Sequence, residues 1–570
     1  MRNYGATGCL SNIKAWGAKI SKGDMDQATA FVYIVSSFVL ELYREADGNL
    51  GTGRAVKRTR LNSRECRDEL ATIFKEDQLP VRMFLTGSGG SGKSRVVKAV
   101  VEYCKTLYGN LGLPFTRKTI LVTAITGAAA VEINGETAHS GLHLNKHEKS
   151  IFNLAEDYNE TLLVIIDEIS FMKKTEYLKA LRNISILKKS STFSTIPIIF
   201  AGDFSQLAPV CGNPLHIYKD LQQFWYLLTS FIELKTPHRF KDDVEWGERL
   251  NRYRDEGPTS VDVEVINGRV IGCKGGPKEV DIPFDACYAV KDNIDRVAIN
   301  DGIFMSVIER THSKDKNELP PLNAMCVRAS NIQAGKKCRG SQKVDWVDAG
   351  KNAKDLLVAT CGEGHVKQGD SKNISPMLKF YYDQPVMNIE NEDVENKKAN
   401  GTMGRFRRVI LKKGVQTKDL DIICIDGYYA YCADVCQVES VQLALEESEE
   451  EIGIFSKTYQ TACKLPLSID GSLNRYTKRF KKRMKFDQFP LNIANARTVH
   501  KLQGKTLVNL VISSWNYTGN WVCVVLSRVR ALSGLFIRTP LKWFKCRGMS
   551  SECREFLDFF RTEKSVKTNI

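Results

Sequence analysis

At 570 residues the chain is too long for one compact core, and length alone points to about three or four domains. Charged residues make up 26% and hydrophobic residues 43%, the proportions of an ordinary soluble globular protein, but the net charge of +16 and the pI near 9.0 suggest a polyanionic partner, nucleic acid first. Sixteen cysteines lie scattered without a C-x-x-C pair, so zinc is not expected and reduced intracellular thiols are. The first residues lack a charged-then-apolar leader, so secretion is not supported. The apolar run Phe31 to Leu40 stops at Glu41, short of a membrane span, and reads as one face of a packed helix.

In chain order, residues 1–55 read as a helical segment and a Gly-rich linker. Residues 56–235 alternate apolar β-rich runs with helical patterns. The strand candidates are Val81–Thr86, Thr119–Thr123, Leu162–Ile166 and Ile196–Ala201, an alternation that argues for a parallel α/β sheet with ligand loops at the strand C-termini. Residues 236–379 are less legible. An acidic run at 446–451 reads as a solvated loop or helix face. Arg475 to Lys485 holds seven basic residues interleaved with Tyr476 and Phe480. It suits a strand-like edge on a phosphate backbone, an ordinary basic surface or a nuclear-import signal. Residues 546–570 form a C-terminal tail.

The chemistry begins at Gly87-Ser-Gly-Gly-Ser-Gly92-Lys93-Ser94, a phosphate loop set between an apolar strand and a helix start. Gly87, Gly89, Gly90, Ser91 and Gly92 turn backbone N–H groups toward phosphate oxygens. Lys93 reaches the β- and γ-phosphates, and Ser94 ligates Mg²⁺. Behind the apolar residues 162–166, Asp167 suits the metal, through water, and Glu168 suits the base that deprotonates attacking water. The next strand delivers Gln206, an amide able to sense the γ-phosphate. Pro237-His238-Arg239 supplies a guanidinium, 496–507 form a dense polar cluster, and 524–526 read as a buried strand leading to Arg528 and Arg530.

These segments, in this order, resemble the petite-integration-frequency (Pif) family of superfamily-one DNA helicases and its viral and Helitron-type relatives. The resemblance runs over about residues 60–540 and rests on TGSGGSGKS (86–94), TGAAAVEINGETAHS (126–140), IIDEISFM (165–172), FAGDFSQLAPV (200–210), FPLNIANARTVHKLQGKTL (489–507) and VVLSRVRALSGLFI (524–537). It implies an α/β fold of two RecA-like P-loop NTPase lobes with parallel sheets, with ATP between them and single-stranded DNA across their top. A small β-barrel-type domain is expected as an insertion at 380–488, marked by the turn Asn400-Gly401-Thr402-Met403-Gly404, with the second lobe resuming at 489–545.

By the same resemblance, Arg239 and Arg528 reach the γ-phosphate, Arg528 as the arginine finger, and Gly504 borders the nucleotide. Thr126, His139, Thr498, His500 and Lys501 match positions near the DNA track. The implied protein is a monomeric motor using ATP and Mg²⁺, moving 5′→3′ on single-stranded DNA and opening forked duplexes in replication, repair, recombination or telomere maintenance. RNA is the alternative track, and a DNA-binding ATPase switch or mobile-element remnant without unwinding the alternative activity. The implied location is intracellular, the nucleus in a eukaryote, with a mitochondrial, viral or mobile-element setting as alternatives. Two departures stand out. Relatives carry an adenine-reading glutamine in a segment like Leu61–Glu65, where this chain has Glu65, which accepts from the adenine amine but cannot donate to a ring nitrogen. The stretch 172–189 lacks the acidic residues of the family's signature there.

Overall fold

The computed structural model describes residues 9–47, 64–74, 79–190, 193–209, 212–337, 344–348, 374–391, 398–446, 448–464 and 481–566. Helices α1 (Leu10–Ser21), α2 (Met25–Asp47) and α3 (Arg64–Ala71) precede the first sheet. Strand β1 (Arg82–Gly87) then leads into α4 (Lys93–Leu111), followed by β2 (Ile120–Ala124), α5 (Gly127–Glu132), β3 (Glu136–Thr137), β4 (Leu163–Asp167), β5 (Ile198–Ala201) and β6 (Ser230–Leu234). The six strands pair in parallel in the order β3-β2-β4-β5-β1-β6. β2, β4 and β5 are buried along their whole length, which explains their unbroken apolar sequences: a parallel strand covered on both faces has no solvent side to alternate toward. The four strands expected from the sequence are all present, and the short β3 and the edge strand β6 add to them.

The N-terminal segment is a layer of this lobe. From Ala30 to Val39 no residue of α2 is more than 2% exposed, so the apolar run is buried all round rather than on one face. By length and composition Met25–Arg44 could cross a membrane, but most of it lies inside the protein, packed with α4 beneath the sheet. The opposite side of the sheet is closed by the last described helix, Ser551–Glu563, which returns from the far end of the chain. Its Phe556 and Phe560 meet Phe84, Trp225 and Phe231, and Arg561 grips Glu233 through two 2.8 Å hydrogen bonds.

His216 sits in this seam, its ring between Phe204 and Phe556. Burial pushes its pKa down to about 4, against a weaker upward pull from Glu552. An unfolded chain takes up that proton near 6.5, so the stability from this group is complete above that value and is lost as pH falls toward about 4. Thermal unfolding is expected to show Tm dropping across that window. His216→Phe should flatten the drop, as followed by melts at several pH values.

A second, four-stranded parallel sheet is built from Cys287–Val290, Ala496–Thr498, Leu510–Ile512 and Leu535–Ile537. The apolar run expected as a strand before Arg528 is instead the helix Trp521–Leu526, with all six residues buried. A short wholly apolar run carries no periodicity, so helix and strand look alike until packing decides between them.

Between Ala324 and Ile493 the described strands form three open sheets of four, four and five strands. The β-rich part thus starts well before residue 380, and no closed barrel is formed among the described residues. The early strands Ala324–Arg328 and Ser330–Lys337 each pair on one side with a nearer strand, at 377–381 and 344–348, and on the other with one late in the chain, at 428–434 and 481–488, which sequence-local reading does not reveal. The described residues of the acidic run 446–451 are exposed around the turn between two strands, and Glu451 opens the second of them. Tyr476 and Phe480 of the basic run lie outside the described residues. Its end, Lys481–Gln488, is a strand paired on both sides and therefore not an edge.

Candidate nucleotide and nucleic-acid cleft

The phosphate loop joins β1 to α4 at the C-terminal end of the parallel strands, where strand ends and a helix N-terminus concentrate polar backbone groups. Gly92 has φ +95°, and a Cβ there would stand 2.3 Å from the amide nitrogen of Gln27. Only glycine fits. Lys93 folds its ammonium back onto the carbonyls of Gly87 (2.7 Å) and Ser88 (3.3 Å). The hydroxyls of Ser88 and Ser91 are buried with no partner among the described residues, and Ser94 lines the open side.

Asp167 ends β4 at 3% exposure, and its Oδ1 accepts the N–H of Glu168 at 2.8 Å. Glu168 is held at φ +55°, an uncommon conformation for a side-chain-bearing residue, and its Oε2 is buried without a partner. Both carboxyls are pushed above their ordinary range. For each, burial is the leading cause, and the Asp167 charge adds to the rise at Glu168. Asp203 is held the other way, its carboxyl below the usual range. Burial opposes that shift, and the Arg254 guanidinium at 3.4 Å, Lys93, and hydrogen bonds from Ser205 and Gln206 overcome it.

The two arginines come at the loop from across the cleft. A Cβ on Gly89 would lie 2.9 Å from Nη2 of Arg528 and 3.1 Å from Nη1 of Arg239. Arg528 is 1% exposed; its Nε donates to the Val524 carbonyl, its Nη2 to the Ser527 hydroxyl, and its Nη1 has no acceptor among the described residues. Burial pushes its pKa down to about 10, and burial plus repulsion from Arg528 pushes Arg239 to about 9. Two crowded guanidinium groups facing a glycine-rich loop, with Nη1 of Arg528 left without a partner among the described residues, are suited to a polyphosphate. Together with Ser94, Asp167 and the orphaned oxygen of Glu168, they fit a magnesium-bound nucleoside triphosphate.

Gln206 bridges the lobes. Its Oε1 accepts from Nε2 of Gln503 at 2.8 Å, and its own Nε2 donates to Asp203 at 3.1 Å. The same open cleft, about 590 Å³, takes in Lys93, Asp167, Glu168, Gln206, Arg239, Gly504 and Arg528, and also Thr126, His139, His500 and Lys501. Thr126 caps α5 by accepting from Ala129 N–H, His139 faces Glu176 at 3.5 Å, and Lys501 donates to Asn400 at 2.9 Å. Thr498 stands just outside the lining, at the head of the short helix Val499–Leu502. The turn at Asn400-Gly401 lies directly on Gly127 and Ala128, so the β-rich part touches the first lobe at the cleft.

Gln503 and Thr506 of the polar cluster 496–507 line the cleft without having been singled out as site residues, as does Glu132, and Gln27 beside the phosphate loop was not read as part of the site at all. Glu65 lies exposed on α3 and forms no part of the cleft. The glutamine at the phosphate loop is Gln27, whose amide donates to the Ser91 carbonyl at 2.9 Å. The available signal was Asp24-Met-Asp-Gln27 opening an apolar helical run, an acidic N-cap followed by the glutamine.

Two parallel-sheet lobes, with a phosphate loop on one and Arg528 of the other turned toward it, define a two-lobed P-loop NTPase fold. Residues 65–249 match the PIF1-like helicase family model. A 202-residue stretch is 34% identical to the ATP-dependent DNA helicase PIF1 of Saccharomyces cerevisiae, covering 33% of this chain and 22% of that relative's length. The chain thus spans only about a fifth of the curated relative. The Pif1 helicase from Bacteroides in complex with ADP-AlF3 and ssDNA has the same fold, with a TM-score of 0.53 at 18% identity over 87% of this chain and 96% of that one. The Pif1 helicase from Candida albicans superposes equally well, with a TM-score of 0.53 at 19% identity over 86% of this chain and 99% of that one.

Proposed function

We propose that this chain is an ATP-dependent DNA helicase that moves along single-stranded DNA, 5′→3′, and opens forked duplexes. The observation that carries the proposal is the convergence of Arg239 and Arg528 on the phosphate loop opposite Glu168, in a cleft that also contains Thr126, His139, His500 and Lys501. Hydrolysis and track-binding groups then share the joint between two lobes, and a change at one alters the other.

In this reading Lys93 leaves the carbonyls of Gly87 and Ser88 for the β- and γ-phosphates. Ser94 and Asp167 would hold Mg²⁺, which neutralises phosphate charge when bound. Glu168 takes the proton of the attacking water, and Arg239 and Arg528 stabilise charge spread over the transferring phosphoryl oxygens. Gln206, tied to Gln503, reports loss of the γ-phosphate across the lobes. Gln27 exchanges the Ser91 carbonyl for the base; an amide both donates and accepts, which suits adenine and removes the objection raised by Glu65. Opening a base-pair step costs about 1.4 kcal/mol on average, so unwinding draws on the nucleotide cycle or on trapping of the opened strand. The proposal places the protein with cellular DNA, in the nucleus of a eukaryote.

The test is ATP hydrolysis with and without single-stranded DNA, beside Lys93→Ala, followed by unwinding of 5′- and 3′-tailed duplexes. Stimulation by DNA that vanishes in the variant, with unwinding of the 5′-tailed duplex, is the expected result. Hydrolysis without strand separation would favour an ATPase switch, and unwinding of the 3′-tailed duplex alone would reverse the polarity.

A further inference from the structure

Arg239 is braced from behind by a part of the molecule outside the nucleotide-binding motifs. His238, its neighbour, places Nε2 2.6 Å from Oδ2 of Asp24, a carboxylate 3% exposed at the head of α2. The other oxygen of that carboxylate accepts the N–H groups of Asp26 (3.0 Å) and Gln27 (3.1 Å). Asp26 in turn accepts the backbone N–H of Lys235 at 3.3 Å, and Gln27 reaches the phosphate loop through Ser91. One residue beyond His238, the Arg239 guanidinium donates to Thr506 Oγ1 (2.9 Å), the Ser527 carbonyl (2.9 Å) and the Gly504 carbonyl (3.4 Å), all in the second lobe. The phosphate loop, the head of α2, the arginine turn and the second lobe are therefore linked by one run of hydrogen bonds.

We propose that the Asp24–His238 pair is a positioning device that fixes Arg239 against the phosphate loop, so that the N-terminal helix sets the rate of turnover without touching the reacting atoms. The proposal rests on the ATPase reading above. A hydrogen bond from an imidazole N–H to a buried carboxylate is short, strong and directional, and it leaves the turn little freedom. The guanidinium must lie within a fraction of an ångström of its working position, because a displacement of about 1 Å can cost about a hundredfold in rate. No such precision is needed for binding, which the loop backbone and Lys93 dominate. His238 is 38% exposed on its other side, so its replacement opens no core.

The experiment compares His238→Phe, which keeps a ring and loses the donor, with His238→Gln, whose amide nitrogen sits near the lost Nε2. Steady-state ATP hydrolysis on saturating single-stranded DNA gives kcat and KM, and titration with a fluorescent ATP analogue gives the fraction of folded, binding-competent protein. For His238→Phe, kcat per binding-competent molecule should fall at least about tenfold while KM for ATP and DNA affinity stay within about twofold, and His238→Gln should recover most of the loss. An unchanged kcat in His238→Phe, an equal loss in His238→Gln, or a loss accounted for by the binding-competent fraction would each overturn the proposal. Wild-type protein that does not hydrolyse ATP overturns the ATPase reading and this coupling with it. Wild-type protein that does, with His238→Phe unchanged, overturns the coupling alone.

Discussion

Arg528→Ala is expected to lower kcat for ATP hydrolysis by about a thousandfold while nucleotide still binds, because an arginine finger acts on charge that develops only in the transition state. The structure explains why no neighbour can substitute. The Arg528 side chain is 1% exposed and is aimed by hydrogen bonds to the Val524 carbonyl and the Ser527 hydroxyl, with one nitrogen left for a phosphate oxygen. Arg239 is held in its own place by Thr506, Ser527 and Gly504, so it cannot swing into the position of Arg528. Arg528→Lys should rescue little, since an ammonium provides the charge without the planar fork. Single-turnover hydrolysis beside equilibrium nucleotide binding separates the two effects; equal losses in both would assign Arg528 to binding instead.

Glu168→Gln is expected to give a protein that binds ATP and DNA but turns over at least about a hundredfold more slowly, the usual range for loss of a general base. The amide keeps the shape of the side chain and its φ +55° backbone but cannot accept the proton of water. The pH profile carries a second signature. Burial, with the Asp167 charge, holds the Glu168 carboxyl above its ordinary range, so the base form is lost on acidification at a higher pH than for an exposed glutamate near about 4.3. The rate should therefore fall as pH drops, and the residual activity of Glu168→Gln should lack that acid limb. An acid limb that persists unchanged in the variant would place the titrating group elsewhere.

Much of the cleft was legible because its chemistry is local. Lys93, Ser94, Asp167, Glu168 and Gln206 each follow an apolar strand run, and the ends of parallel strands in one sheet necessarily share an edge. The glycine spacing in 87–92 declared itself for the same reason, since backbone geometry is set within a few residues. What was misread required partners distant in the chain. The run 524–526 could be strand or helix until the second lobe packed around it. The pairing of Ser330–Lys337 with Lys481–Gln488 moved the start of the β-rich part and turned a supposed edge into an interior strand. Gln27 lies sixty-four positions before Ser91, and its place at the phosphate loop depends on α2 docking under the first sheet.

From sequence alone came the phosphate loop, the order of the strand-borne carboxylates and amide, the two arginines and the basic charge that asks for a polyanion. These follow from residue type and spacing within single elements, where local geometry dominates. Only the tertiary structure decided which glutamine meets the loop, that the first and last described helices sandwich one lobe, and that Asp24 stands behind Arg239. Such contacts cost chain entropy to close and are repaid by burial, and burial depends on surfaces the folded chain creates rather than on any stretch of its sequence.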